Sequence, residues 1–246
     1  LLAWLKRDGL KSAFAWLSRH KKGFLLGALV FQLIVMVCAE LFIRRDAAVV
    51  FKGAFDLLKQ SSITNYLSRN PNNIPLFLYE KFFYVLFGSS GLWVMQALNI
   101  LYVNLGAVLL YKLSQKHFNQ KTADLVYLFY VSLICYSPYF YSMYTDIPPL
   151  PLIALQLWWA LDLLKEDQAV SWKKIVGLGI LSGVTMLIRP TTIIVMIAFW
   201  AVLFFRGNWK VFGKIATVTV MTTGFVFAGL NTAVNHQRVV PILKQE

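Results

Sequence analysis

Residues 20–46 read HKKGFLLGALVFQLIVMVCAELFIRRD, and this stretch decides the fold. From Gly23 to Ile43 a single ionisable residue, Glu40, interrupts an apolar run that is closed by basic pairs at both ends. A helix needs roughly 17–25 apolar residues to cross the hydrocarbon of a bilayer, where every backbone amide must find its partner inside its own segment. The run meets that length. It also exceeds the core of a secretory signal peptide and carries no small-x-small cleavage site, so it predicts a retained transmembrane helix.

The rest of the chain repeats the theme. Of 246 residues, 58% are hydrophobic and 14% charged, against about 25% charged in a soluble domain, and the mean hydropathy is +0.61. Six more apolar segments follow the first: Leu92–Leu113, Thr122–Tyr141, Pro149–Leu164, Ile175–Ile188, Thr191–Phe205 and Val211–Val234. The expected fold is an all-α, polytopic bundle of about seven crossings, forming one membrane domain over residues 1–246. The segments ending at Ile188 and beginning at Thr191 are short and meet at Arg189-Pro190, which predicts a hairpin that falls short of the far surface. Residues 1–22 put Leu10, Ala13, Phe14 and Leu17 on one face and Lys6, Arg7 and Lys11 among polar positions, the pattern of a helix lying in the headgroup region. Gly179 and Gly183 have the G-x-x-x-G spacing of closely packed helices and are read as packing.

The formal charge of +13 invites a nucleic-acid reading, but Lys and Arg sit in short clusters between apolar segments, as charges that orient helices do. No nucleic-acid partner is expected. A cytoplasmic N-terminus gathers the larger set of cations inside, including Lys21, Lys22, Lys112, Lys116, Lys173, Lys174, Arg206 and Lys214. Outside it leaves Arg44, Arg45, Lys52, Lys59, Arg69, Lys81, Arg189, Arg238 and Lys244. Asp46 and Asp146 then face the same, extracytoplasmic side. Cys38 and Cys135 lie inside apolar segments, where a thiol behaves as a small hydrophobe.

Residues 44–91 form the longest polar excursion, the first external loop. Ala47, Val50, Phe51, Ala54, Phe55 and Leu58 recur at helical spacing opposite Lys52, Asp56 and Lys59, predicting an amphipathic helix on the outer surface. Asn70-Pro71-Asn72-Asn73-Ile74-Pro75 is a turn cluster. The aromatic segment from Leu76 to Gly88 reads as a second interfacial element.

Most site chemistries are absent from the sequence. It has no phosphate-binding or dinucleotide glycine loop, no hydrolase signature, and no ligand spacing around His20, His117 or His236. No metal site and no cofactor are indicated, and a requirement for a divalent cation stays open. Asp46 and Asp146 remain, together with the outward cations. Each aspartate also has a plain structural reading as an N-cap, since Asp46 precedes the amphipathic helix and Asp146 precedes Pro148 and Pro149. Arg44 and Arg45 can snorkel at the end of the first helix, and Arg69 and Lys81 can be solvated loop charges. Arg189 is sharper, because it interrupts an apolar run at LIRPTT; it either meets a phosphate or pairs with one of the two aspartates. Glu40, Glu80, Tyr139, Tyr141 and Tyr144 are weaker candidates, the tyrosines serving equally well as interface anchors.

Four phrases carry a family resemblance: RRDAAVVFKGAFD, YLSRNPNNIPLFLYEKFFYVLFG, YSPYFYSMYTDIPPL and LIRPTTII. Their order resembles the GT-C superfamily of membrane glycosyltransferases, which includes protein O-mannosyltransferases and aminoarabinose transferases, and is most similar to bacterial members of unassigned specificity. The resemblance spans roughly Lys22 to Val234. It implies transfer of a sugar from a polyprenyl-phosphate donor to an extracytoplasmic acceptor, whether glycan, lipid or protein, in the cell membrane. It further implies Asp46 as catalytic carboxylate and general base, Asp146 as the second acid, and Arg44, Arg45, Arg69, Lys81, Arg189 and Tyr144 as substrate contacts. Some relatives have an acidic pair in the first loop, whereas Asp46 stands alone behind two arginines; members also commonly continue beyond this length. The rival readings are a transporter or flippase of a lipid-linked or anionic solute, and a noncatalytic membrane subunit that docks a partner through the first loop.

Overall fold

A computed structural model describes residues 7–40, 43–141, 143–165, 171–207 and 209–243. Residues 1–6 of the expected interfacial helix, residues 41–42 of the first apolar run, and Lys244 lie outside the described residues. All regular structure in the described part is helical: α1 (Arg7–Arg19), α2 (Lys21–Cys38), α3 (Arg45–Ala54), α4 (Gln60–Arg69), α5 (Ile74–Phe87), α6 (Gly91–His117), α7 (Gln120–Tyr130), α8 (Leu150–Lys165), α9 (Trp172–Ile188), α10 (Ile193–Phe205) and α11 (Trp209–Leu243). Three helical stretches are long and apolar enough to cross a membrane, namely Lys21–Cys38, Pro71–His117 and Phe212–Gly229. On α2 the large side chains Leu26, Ile34 and Val37 point outward, Val37 with 68% of its surface exposed. A helix that is apolar on its outer face as well needs lipid there rather than water.

Polar side chains tie the helices where apolar contact alone would not choose a register. Gln32 of α2 is fully buried; its Nε2 donates to the carbonyl of Cys135 at 2.9 Å, and its Oε1 accepts from Asn104 of α6 at 2.6 Å. The Cys135 carbonyl belongs to a π turn over Val131–Cys135, followed by a short 3-10 turn at Pro138–Tyr141. The segment expected as one helix over Thr122–Tyr141 is therefore broken. Pro138 supplies no amide to continue a helical ladder, and the wide turn is a common insertion where a helix serves a special contact. Between α9 and α11 the two glycines do what their spacing predicts. A Cβ on Gly183 would stand 2.9 Å from that of Val226, and Thr223 Oγ1 donates to the Gly179 carbonyl at 3.0 Å.

The polar excursion over residues 44–91 folds as its periodicity predicts, with one addition. On α3, Val50 and Ala54 are buried, and Phe55 just beyond it stacks on Phe51 at 4.2 Å between ring centroids. The helix stops at Ala54, earlier than the pattern suggests, and Asp56 takes a left-handed conformation with φ 58°. The addition is α4, which buries Ile63 and Leu67 against the rest of the loop. Its apolar stripe is short, Ile63 and Leu67 with Tyr66 beside them, too brief to register as a period.

Charges sort by end of the bundle. At one end Lys21 pairs with Asp124 at 2.9 Å, Lys116 with Asp162 at 2.7 Å, and Arg206 donates to the Leu164 carbonyl. The opposite end carries the start of α3, α4, the 143–149 turn and Arg189, which is where the candidate site forms.

Candidate functional site

Asp46 lies in the first turn of α3, where a negative charge is favoured by the helix dipole. It caps nothing: the N-cap position is Arg44, and no side-chain cap bond is made there. Arg45, immediately before Asp46, has φ 54°, a conformation uncommon for a residue with a side chain. Such backbone persists where surrounding packing holds it, and here it leaves Asp46 exposed at the surface. Asp146 is not a cap either. Helix α8 begins four residues later at Leu150, whose amide bonds to the Ile147 carbonyl at 3.1 Å. The Asp146 carboxylate instead pairs with Arg189 Nη1 at 2.5 Å.

The pair is built by a turn and a helix end. Residues 143–149 lead into α8, and Arg189 terminates α9 in extended conformation before Pro190. Arg189 Nη1 also donates to Thr145 Oγ1 at 3.0 Å, and its guanidinium carbon lies 5.8 Å from the centre of the Tyr144 ring. The ion pair expected as one reading of Arg189 is formed, and with Asp146.

Tyr144 joins the two aspartates. Burial raises its phenol above the usual tyrosine range, and the charge of Asp46 raises it further; Arg189 pulls it back and Asp146 raises it again. The charges of Asp46, Asp146 and Arg189 thus all act on this one phenol, and Arg189 is the one whose contact with the ring is direct. Tyr66 of α4 completes the cluster on the Asp46 side. Its phenol is pushed up to about 12 by burial first, then by the Asp46 charge and a hydrogen bond to that carboxylate, against an opposing hydrogen bond from Asn73. The latter is 2.7 Å from Asn73 Nδ2 to the Tyr66 hydroxyl, and Asn73 is itself buried.

Tyr66, Asn73 and Thr145 are thus site residues that sequence reasoning missed. A signal existed: Asn70 closes α4 by donating its amide and its side chain to the Tyr66 carbonyl, at 2.9 and 3.1 Å. The turn cluster therefore fixes Tyr66 as well as reversing the chain.

Other expected contacts lie elsewhere. Lys81 pairs with Asp56 at 2.6 Å and sits 5.0 Å over the Tyr84 ring, a solvent-screened contact outside the Asp146–Arg189 pair. Arg44, Arg45 and Arg69 are exposed near the cluster in sequence, Arg69 three residues beyond Tyr66. Tyr141 donates its hydroxyl to the Ala39 carbonyl, securing the end of α2, and Glu40 is exposed. Glu80 is almost fully buried, with neither carboxyl oxygen bonded to protein. The side chain of Tyr139 lies outside the described residues.

Beside the ion pair opens an apolar cavity of about 370 Å³. Leu76 and Tyr79 of α5, Tyr102 of α6 and Leu152 of α8 line it, together with Ile188 and Thr145. The Thr145 hydroxyl that accepts from Arg189 therefore also borders the cavity. The arrangement offers a carboxylate with a phenol donor, a guanidinium held by a second carboxylate, and an apolar cavity bordered by the hydroxyl that this guanidinium contacts. Among the described residues no group of three or more His, Cys, Asp or Glu side chains converges as a metal site.

No curated protein and no solved structure matches the chain. A family model described as conserved hypothetical integral membrane protein matches residues 13–246. With that match spanning nearly its whole length, the chain belongs to this family of integral membrane proteins.

Proposed function

We propose that the protein is a GT-C-like glycosyltransferase that moves a sugar from a polyprenyl-phosphate donor to an acceptor outside the cytoplasm. What supports this reading is the Asp146–Arg189 ion pair beside the Tyr144 ring, with the Asp46 charge acting on the same phenol and Thr145, bonded to Arg189, bordering an apolar cavity. In this account seven helices cross a bacterial cell membrane: α2, α6, α7 with its π turn, α8, α9, α10 and α11. The N-terminus is cytoplasmic, α1 rests on the inner surface, and α3 to α5 cover the outer end.

The chemistry follows from the positions. An acceptor hydroxyl attacks the anomeric carbon, its proton passing to the Asp46 carboxylate as the new C–O bond forms. The bond from the anomeric carbon to the phosphate oxygen breaks, and the polyprenyl phosphate leaves with the electron pair. Attack opposite the leaving group inverts the anomeric carbon. Arg189 has five N–H donors, more than its contacts with Thr145 and Asp146 use, and a fixed cation at the leaving oxygen stabilises the charge that develops there. Asp146 holds that guanidinium in place. The apolar cavity receives the first part of the carrier chain, while the sugar lies toward Asp46 and water.

Turnover tests the proposal. Purified protein incubated with a panel of synthetic polyprenyl-phosphate hexoses releases free polyprenyl phosphate, and Asp46→Asn reduces release by roughly 10²–10⁴-fold, the usual worth of a general base. Normal release by Asp46→Asn, or movement of the intact sugar lipid across proteoliposomes, overturns it; the latter result makes the protein a flippase.

A further inference from the structure

The α8–α9 hairpin contains a polar defect that the site does not use. Gln156 of α8 and Ser182 of α9 are both completely buried, and the amide oxygen, the amide nitrogen and the serine hydroxyl have no hydrogen-bond partner in the protein. Native interiors leave few such groups unsatisfied, because each costs about 1–3 kcal/mol when it loses water without replacement. Three of them together call for a ligand.

The register of the hairpin places them opposite each other. Leu163, Ala160 and Gln156 lie at helical spacing on α8, and Ile175, Leu178 and Ser182 at the same spacing on α9. The first two of each set belong to one buried cluster and α8 packs on α9, which accords with stripes that face each other. In an antiparallel pair Leu163 then meets Ile175, Ala160 meets Leu178, and Gln156 meets Ser182. The close approach of Gly177 to the Trp159 ring, 3.0 Å from a built Cβ, fits the same register. No bond joins the two, and a single bridging water between facing groups supplies the contacts that both lack.

We propose that Gln156 and Ser182 bind a buried water molecule that clasps α8 to α9. The water donates to Gln156 Oε1 and accepts from Ser182 Oγ or Gln156 Nε2, which satisfies it with two to three bonds. Asp146 stands just before α8 and Arg189 just after α9, so the clasp sets the register that lets these two ends pair. Neither residue touches substrate; both are positioning residues, and their role does not depend on which reaction the site performs.

A double-replacement cycle and radical labelling test this on the full chain in detergent. Gln156→Leu and Ser182→Ala each lower Tm, by roughly 3–6 °C, because each leaves the other side with an unmet group. The double variant lies well above the sum of the two losses, since removing both partners is nearly neutral. Hydroxyl radicals generated by X-rays beside bound water oxidise Leu178 or Met196, which are fully buried in the same cluster, and this labelling disappears in Gln156→Leu. If Gln156→Leu does not fold, Ser182→Ala alone must still lose the label. Additive losses, or an unlabelled interior in the wild type, overturn the proposal; coupling without labelling assigns a direct Gln156–Ser182 bond instead and overturns the water.

Discussion

Arg189 and Asp146 are partly open to water, with side-chain exposures of 31% and 22%. An ion pair so placed stabilises a protein by about 0–1 kcal/mol, since solvent screens it and ordering the side chains opposes it. Arg189→Ala and Asp146→Asn are therefore expected to move Tm by no more than about 2–4 °C while carrier release falls by tenfold or more; equal loss of stability and function would assign the pair to folding alone. Tyr66 yields a pH prediction. Its folded phenol ionises near 12, above the value of about 10 expected in the unfolded chain. Below the unfolded value both states keep the proton, and stability from this group is complete; as pH rises toward 12 only the unfolded state gains by ionising, so stability falls. Tyr66→Phe should flatten part of the alkaline decline in thermal unfolding, and an unchanged decline would remove Tyr66 from the buried cluster. The aspartates and Arg189 were legible as isolated oddities in an apolar sequence. Tyr66 was not, because tyrosine at a membrane surface is common, and only the packing of α4 on α3 brings it to Asp46.

Elements were legible in proportion to the clarity of their periods. The uncharged run of α2, the two-faced α3 and the reversal at Arg189-Pro190 all follow from pattern. The break after α7 did not, because the partner that uses the Cys135 carbonyl is Gln32, 103 residues away. The partner of Lys81 was illegible for a similar reason: its counter-ion Asp56 arrives through the packing of α3 on α5. The glycine spacing on α9 was informative, and it makes a prediction. At Gly183 a new methyl meets the Cβ of Val226 at 2.9 Å and the Thr223 carbonyl at 3.0 Å, and neither can rotate aside. Gly183→Ala should destabilise the protein by about 1–3 kcal/mol through overpacking, read as a lower Tm. Gly213 and Gly224 have nothing within 4 Å of a built Cβ, so Gly224→Ala should leave Tm unchanged or slightly raised. An equal effect at both positions would contradict the α9–α11 contact.

Across the molecule, the larger set of cations and the candidate site lie at opposite ends, and the proposed topology puts the more basic end in the cytoplasm. Accessibility of single cysteines to a membrane-impermeant maleimide, with Cys38 and Cys135 replaced, checks this directly. Asn72→Cys in the turn before α5 should react in intact cells, and Lys173→Cys at the start of α9 only after permeabilisation. The reverse pattern would turn the site inward and away from an external acceptor. The central claim is that a phosphate-headed isoprenoid occupies the cavity with its head at Arg189. Photo-crosslinking with a benzophenone-bearing polyprenyl phosphate, mapped by mass spectrometry, measures it. The account predicts label on the peptides carrying Leu76, Tyr79 and Leu152, competed by unlabelled polyprenyl phosphate and weakened by Arg189→Ala. Label spread over the outward faces of α2 and α11, indifferent to competitor and to Arg189→Ala, would contradict it.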